Sequence, residues 1–390
     1  MALVIRQPVV LRPASEPLPH PVPGMKEIDL RQQEAMSIER QLQRTHCDFF
    51  IRMEQVATIL MVDISSFSSG GELSVVSVPP FTLRERLEDP APLCKHYMQH
   101  TELGHNDLWD HAKHRPLKPQ PPVTHVLFPT PDLNQFMKSM AWECHFRTQR
   151  NLQLSADYKS LVRECRDRDH DECVLTKHKD IRIFALIPFT WNDNPDNNDI
   201  TGDLESGSVD ITGINLLHDP SNICSATHLG GTHKSWNMIC VAPDIYRYLQ
   251  LGLCAFRFVT TQNHNVTSQV RVTLQFYWMP RMTPRFNQVM DKAAMQELVD
   301  EFNAIHDQNY PPPEGYTNRY MGMQPVESGR KAFVVLTNPE DAMKFVSMVK
   351  VHWGCALFTS LCGGAGCAAF MTGKNLQDGS LQPTKVPMED

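Results

Sequence analysis

Five places in the chain put a histidine two residues before a carboxylate: His46 and Asp48, His100 and Glu102, His105 and Asp107, His170 and Glu172, His178 and Asp180. Such a pair, joined by a distant second histidine, is the donor set of a 2-His-1-carboxylate ferrous site, in which three protein ligands hold one face of the iron and leave the other open. With 17 His and 44 acidic residues in 390, composition alone yields about two such pairs. The set that opens a strand-like run is His178 with Asp180, which takes His228 or His233 as the further ligand and Arg247 as an anchor for a substrate carboxylate.

Other chemistry-bearing clusters fit their chemistry less well. Cys94, His96, His100 and His105 do not have the spacing of a closed zinc site, and Cys165, His170, Cys173 and His178 fare no better. Cys362 and Cys367 are too far apart for a C-x-x-C redox motif, and the glycines between them lack the Lys-Ser/Thr context of a phosphate loop. No Gly-x-Ser-x-Gly elbow marks a hydrolase. From Phe184 to His233 there is no Lys or Arg while Asp193, Asp196, Asp199, Asp203, Glu205, Asp210 and Asp219 accumulate. That reads as a solvated surface loop rather than a calcium site.

The elements that would position these residues are read from hydrophobic periodicity. Val266, Val270, Val272, Leu274, Phe276 and Trp278 sit at even positions among polar residues, the pattern of a long strand with one buried face. Leu253 to Val259 is a second run and completes an antiparallel hairpin, while Trp236 to Val241 is a short third strand ended by Pro243. Upstream, Val56 to Ile64 and Leu73 to Val78 read as a strand pair around the loop Ser65 to Gly71, and Ile181 to Pro188 as a strand apolar on both faces. Thr130 and Pro131 start a helix whose Leu133, Phe136, Met137, Met140, Ala141 and Cys144 form one face. Lys26 to Arg44 reads as one polar helix. Past Phe286, a helix over Asn287 to Ile305, a Pro-rich linker at Tyr310 to Gly315, and a strand, a helix from Asn338-Pro339 and a further strand suggest a separate α+β unit.

Composition narrows the class. Apolar residues make up 41 % of the chain and no apolar run reaches the roughly 18–20 residues of a membrane-spanning helix. The first residues are broken by proline before a signal-peptide core forms. Eleven thinly spread cysteines favour reduced, buried thiols over a disulfide framework. A net charge of −7 without a basic arm argues against a surface dedicated to nucleic acid.

The order of elements resembles the capsid proteins of picornavirus-like viruses, including picornaviruses, dicistroviruses and iflaviruses. The stretches that carry the resemblance are SGGELSVVSVPP, TPDLNQFMKSMAWECHFRTQRNLQLSAD, IRIFALIPF, WNMICVAPDIYRYLQLGLCAFRF and VRVTLQFYWMPRMTPRF, together roughly residues 45 to 286. The resemblance implies a mainly β fold, an eight-stranded antiparallel jelly-roll β-sandwich with a C-terminal α+β extension. The division would be an extended N-terminal arm over 1–45, the jelly roll over 46–286 and the extension, projecting from a shell, over 287–390. It implies a structural protein rather than an enzyme, without cofactor or catalytic residues. Such a protein would assemble with sister subunits into the icosahedral shell of a non-enveloped positive-strand RNA virus, reside in the virion and in host cytoplasm during assembly, meet a host receptor, and touch genomic RNA only weakly and non-specifically. The competing expectation uses the same jelly roll differently: the metal spacing of His178, Asp180 and His233 resembles that of iron/2-oxoglutarate dioxygenases.

Overall fold

The computed structural model describes residues 27–98, 156–193, 195–217, 229–263, 269–286, 288–305, 326–367 and 370. Among these residues helix accounts for about 52 % and strand for 14 %, and the strands form one two-stranded and one three-stranded sheet. The jelly-roll sandwich with its appended extension is therefore corrected: this is a helix-rich α/β protein with two small antiparallel sheets.

The helix at the centre is α10, Pro339–Leu361. The sequence announces its start, since the Asn338 side chain accepts the Glu340 N–H at 3.0 Å and Pro339 takes the first turn, where its missing N–H costs nothing. Apart from His352, its far half is apolar or small on every side. From Val351 to Leu361 only Trp353 escapes full burial, so this half is a core helix rather than an amphipathic one. The further strand expected beyond Val349 is instead the continuation of this helix. Over so short an apolar stretch hydrophobicity alone does not separate a buried strand from a buried helix. Among the described residues no helix is long and apolar enough to cross a membrane.

One side of α10 carries the three-stranded sheet, β3 (Cys254–Asn263), β4 (Val270–Trp278) and β5 (Lys331–Leu336). The β3–β4 hairpin forms as the alternation predicts, with Phe256 opposite Phe276 and Thr261 opposite Val272. Its third strand is not Trp236–Val241 but β5, which places Val334 opposite Val272. The segment read as a separate C-terminal unit thus completes this sheet and supplies the central helix. The alternation predicted one buried face for β4, but, flanked on both sides, it is buried on both faces apart from Arg271.

The other side of α10 is helical. α2 (Met53–Met61) occupies the residues expected to be a strand, and the Leu73–Val78 strand is a series of turns. Four apolar residues, Val56, Ala57, Ile59 and Leu60, face the core, and Gln55 accepts the Arg52 N–H at 2.8 Å to start the helix. α3 (Pro80–Glu88) and α4 (Pro90–Met98) each begin at a proline. α1 (Ile28–Gln43) buries Ile28, Arg31, Ala35, Ile38 and Leu42, one stripe at helical spacing, in the same core as the rest. The Arg31 guanidinium donates to Val62 O at 2.8 Å and to Ile59 O, capping the C-terminal end of α2.

The second sheet pairs β1 (Arg182–Ala185) with β2 (Met238–Val241), Ile183 opposite Cys240. It lies between α5 (Ala156–Arg168) and α8 (Pro243–Gln250). β2 ends before Pro243 as expected, and Pro243 opens α8. The acidic stretch between β1 and β2 is not an open loop: it holds α6 (Pro195–Gly202) and α7 (Glu205–Thr212), and it buries Trp191 and Asn192. α9 (Lys292–Ile305) starts later than the expected Asn287; Ala294, Leu298 and Phe302 are buried as its amphipathic pattern predicts, but the adjoining buried ridge is Met295 and Val299, while Ala293 is exposed. The helix expected at 130–144 and the linker at 310–315 lie outside the described residues.

Candidate functional site

Among the described residues, one group of three metal-type ligands comes together: Cys165, Asp169 and Cys240, all buried. Cys165 lies in the last turn of α5, and Asp169 follows one turn later, so both share the helix face turned toward β2. The chain then leaves the helix through His170 and Asp171, both left-handed at φ 62° and 55°. Two successive non-glycine residues in this region cost about 1 kcal/mol or more each. The Asp171 N–H returns to Arg166 O at 2.8 Å and its carboxylate meets Arg166 Nε at 2.6 Å, closing the turn.

That turn holds Asp169 against the open edge of β2. Its Oδ2 accepts the Cys240 N–H at 2.9 Å, while Cys240 O accepts the Val174 N–H at 2.9 Å. Both outward backbone groups of Cys240 are thereby satisfied without a third strand. Arg168 forks onto the same carboxylate, Nε to Oδ1 at 2.7 Å and Nη2 to Oδ2 at 2.8 Å. It also donates to Ser235 O at 2.9 Å, to Met238 O at 2.7 Å and to Cys165 Sγ at 3.4 Å. Burial pulls the guanidinium pKa down, but the Asp169 hydrogen bond and charge more than offset it and the net shift is upward. The sulfurs of Cys165 and Cys240 are 3.8 Å apart, and the hydrogen bond to Cys165 together with burial pushes the Cys240 thiol up.

This arrangement is poorly suited to a cation. It offers three ligands where closed zinc sites use four, and it sets a permanent positive charge 3.4 Å from one sulfur. It is well suited to chemistry between the two sulfurs.

The histidines expected to hold iron are not brought together. His178 is four residues ahead of β1, at the end where Arg182 faces Val241, and His233 is five ahead of β2, at the end where Met238 faces Ala185. The ladder between those ends is about 10 Å long. His178 Nδ1 accepts the Asp180 N–H at 3.0 Å, which ties the expected pair into a local turn. His233 Nε2 lies 3.0 Å from Phe189 O, with its ring 5.0 Å from that of Phe189. Arg247 lies on α8, and His228 is outside the described residues.

Two other histidines sit in the core: His352, which the sequence did not single out, and His96, named above only in the rejected zinc spacing. His352 of α10 faces the edge of β3. Phe276 spends its N–H and C=O on Arg330 O and the Gly329 N–H, so Phe256, opposite it, points its own N–H away from β4. His352 Nε2 accepts that N–H at 3.2 Å. Its Nδ1 is therefore the protonated nitrogen and donates to Tyr97 Oη at 2.5 Å, and Tyr97 in turn donates to Leu186 O at 3.0 Å. One imidazole thus joins α10, β3, α4 and the segment after β1. His96, whose pKa burial lowers, contacts Thr201 Oγ1 at 2.9 Å and stacks on Trp191 with ring centres 4.9 Å apart. Asn237 plays a comparable role, with its amide accepting the Ile187 N–H at 3.0 Å and donating to Ile187 O at 2.8 Å and Thr232 O at 2.9 Å.

The thiol group was visible as Cys165 and Asp169 four residues apart in a charged window, but nothing local indicated that Cys240 would join them. No protein family, curated protein or solved structure matches the chain. The class is set by the fold alone: a helix-rich α/β protein with two small antiparallel sheets.

Proposed function

We propose that this chain is a non-catalytic structural protein that acts by assembling with copies of itself and with other chains. The observation that carries this reading is how the core uses side chains that elsewhere do chemistry. His352, Tyr97, His96, Arg168 and Asp169 are each engaged in hydrogen bonds that join separate elements, and these bonds hold the scaffold in place of serving a substrate. A shell subunit of a non-enveloped virus belongs to this class. The jelly roll that singled it out is absent from the described residues, so it has no precedence over other assembly roles. The iron-dioxygenase alternative needs His178, Asp180 and a third ligand in one cluster, and His178 and His233 lie at opposite ends of the β1–β2 ladder.

The test is light scattering and negative-stain electron microscopy on the purified full chain across a range of concentrations. Defined oligomers or particles that grow with concentration are expected. A chain that stays monomeric throughout, or that purifies with one equivalent of iron, overturns the proposal.

A further inference from the structure

We propose that Cys165 and Cys240 are a redox-modification site, a buried dithiol that closes to a disulfide under peroxide and fastens α5 to β2. The argument begins with geometry. The sulfurs stand 3.8 Å apart, so a disulfide of about 2.05 Å needs a closure of less than 2 Å. Cys240 Sγ is also 3.8 Å from Cys165 O, so the sulfur of β2 already lies against the backbone of α5. Cys165 shares its face of α5 with Asp169, and Cys240 is fixed through its backbone by Asp169 and Val174, so neither residue needs to leave its element.

The chemistry around the pair is asymmetric. Cys165 Sγ donates to Asp169 Oδ2 at 3.8 Å, an acceptor for the proton it must lose, and Arg168 Nη2 donates to the same sulfur at 3.4 Å, which places a positive charge beside the sulfur that becomes negative when it attacks. The Cys240 sulfur contacts Cys165 Sγ and Cys165 O, each at 3.8 Å. Cys165 is therefore the attacking sulfur and Cys240 the resolving one. In the first step Cys165 gives up its proton and its sulfur bonds one peroxide oxygen; the O–O bond breaks, the departing hydroxide takes a proton to become water, and Cys165 is left as sulfenic acid. In the second step Cys240 loses its proton, its sulfur attacks Cys165 Sγ, the S–O bond breaks and a second water leaves. Two thiols and one hydrogen peroxide give one disulfide and two waters, each sulfur being oxidised by one electron and each peroxide oxygen reduced by one.

Both thiols are fully buried, but in a small cluster rather than the main core. Cys165, Met238 and Cys240 are covered by Tyr158, Leu161, Ile181, Ile183 and Phe189, all only partly buried. A peroxide molecule reaches the pair through a local opening of α5, without unfolding the main core. The crosslink ties residues 75 apart in sequence and restricts the unfolded chain accordingly.

The experiment treats the reduced full chain with hydrogen peroxide, blocks remaining thiols with an alkylating agent under denaturing conditions, and maps the peptides by mass spectrometry. The expected result is a Cys165–Cys240 crosslinked peptide, formed before modification of the buried Cys254 or Cys355, and a rise in Tm of about 5 °C that dithiothreitol reverses. Cys165→Ser and Cys240→Ser each abolish the peptide and the Tm rise; if either variant fails to fold, the wild-type peptide map decides alone. Alkylation of both cysteines after treatment while exposed Cys47 is oxidised overturns the proposal. So does one equivalent of zinc retained through purification and lost in Cys240→Ser, which assigns the cluster to a metal instead.

Discussion

The main core around α10 and the small cluster around Cys165 are both fully buried, yet they are held in different ways. In the first, Phe345, Phe358, Phe256, Phe276 and Trp278 fill volume, and His352 is a neutral polar insertion with each of its ring nitrogens hydrogen-bonded. In the second, three buried apolar or thiol side chains are outweighed by a carboxylate, a guanidinium and the backbone groups they satisfy. A core built on volume resists changes of solution conditions and fails when its shape is broken. A cluster built on paired charge and thiols fails when one partner is removed and responds to redox state.

The difference predicts a graded set of outcomes. Leu274→Asp, at the middle of the strand buried on both faces, places an unpaired carboxylate where none can be hydrated. The cost exceeds about 5 kcal/mol, comparable to the whole stability of a domain, so circular dichroism is expected to show no cooperative thermal transition. Arg168→Met should fold but lose about 3–5 kcal/mol, read as a lower denaturant midpoint, because it leaves Asp169 buried without its cation. A loss of less than about 1 kcal/mol would place that pair among ordinary surface ion pairs and erase the contrast between the two regions.

A smaller effect is expected where α7 meets the junction of α3 and α4. Burial, with the charges of Glu85 and Glu88, pushes Asp89 up to about 6; burial and the charge of Asp89 push Asp210 up to about 6, with Glu72 adding to this and Arg86 opposing it. Asp210 Oδ2 is buried without a hydrogen-bond partner. A carboxyl whose folded pKa lies above its unfolded value binds its proton more tightly in the fold. Its contribution is therefore fully present below about pH 3.9 and is lost as pH rises through about 6. Both groups are partly solvated, which reduces the effect. Asp210→Asn should match wild type near pH 4 and exceed it in Tm by a few degrees at pH 7; equal Tm values at both pH values would remove the carboxylate repulsion from the account.

The sequence revealed most where a pattern was long or carried its own punctuation. The β3–β4 hairpin, the α9 face and the Asn338-Pro339 start of α10 were all legible for that reason. It misled over Val56 to Ile64 and beyond Val349, where short apolar runs are compatible with strand or helix and tertiary burial decides. The jelly roll was assembled from such runs, so one ambiguity repeated along the chain produced the wrong fold class. The site was less legible still. His178 and Asp180 are adjacent in sequence, but the Asp180 N–H turns that proximity into a local hydrogen bond, whereas Cys240 reaches Cys165 across 75 residues through a sheet pairing no local signal announces.

Native-state hydrogen exchange of the reduced full chain tests the contrast between the two regions most directly. The Phe256 amide, capped by His352, and the amides of β4 and α10 are expected to exchange only through global unfolding, while those of α5 and the Cys240 amide open at a distinctly lower free energy. Exchange of both sets through one and the same cooperative step, or greater protection at Cys240 than at Phe256, would contradict the account.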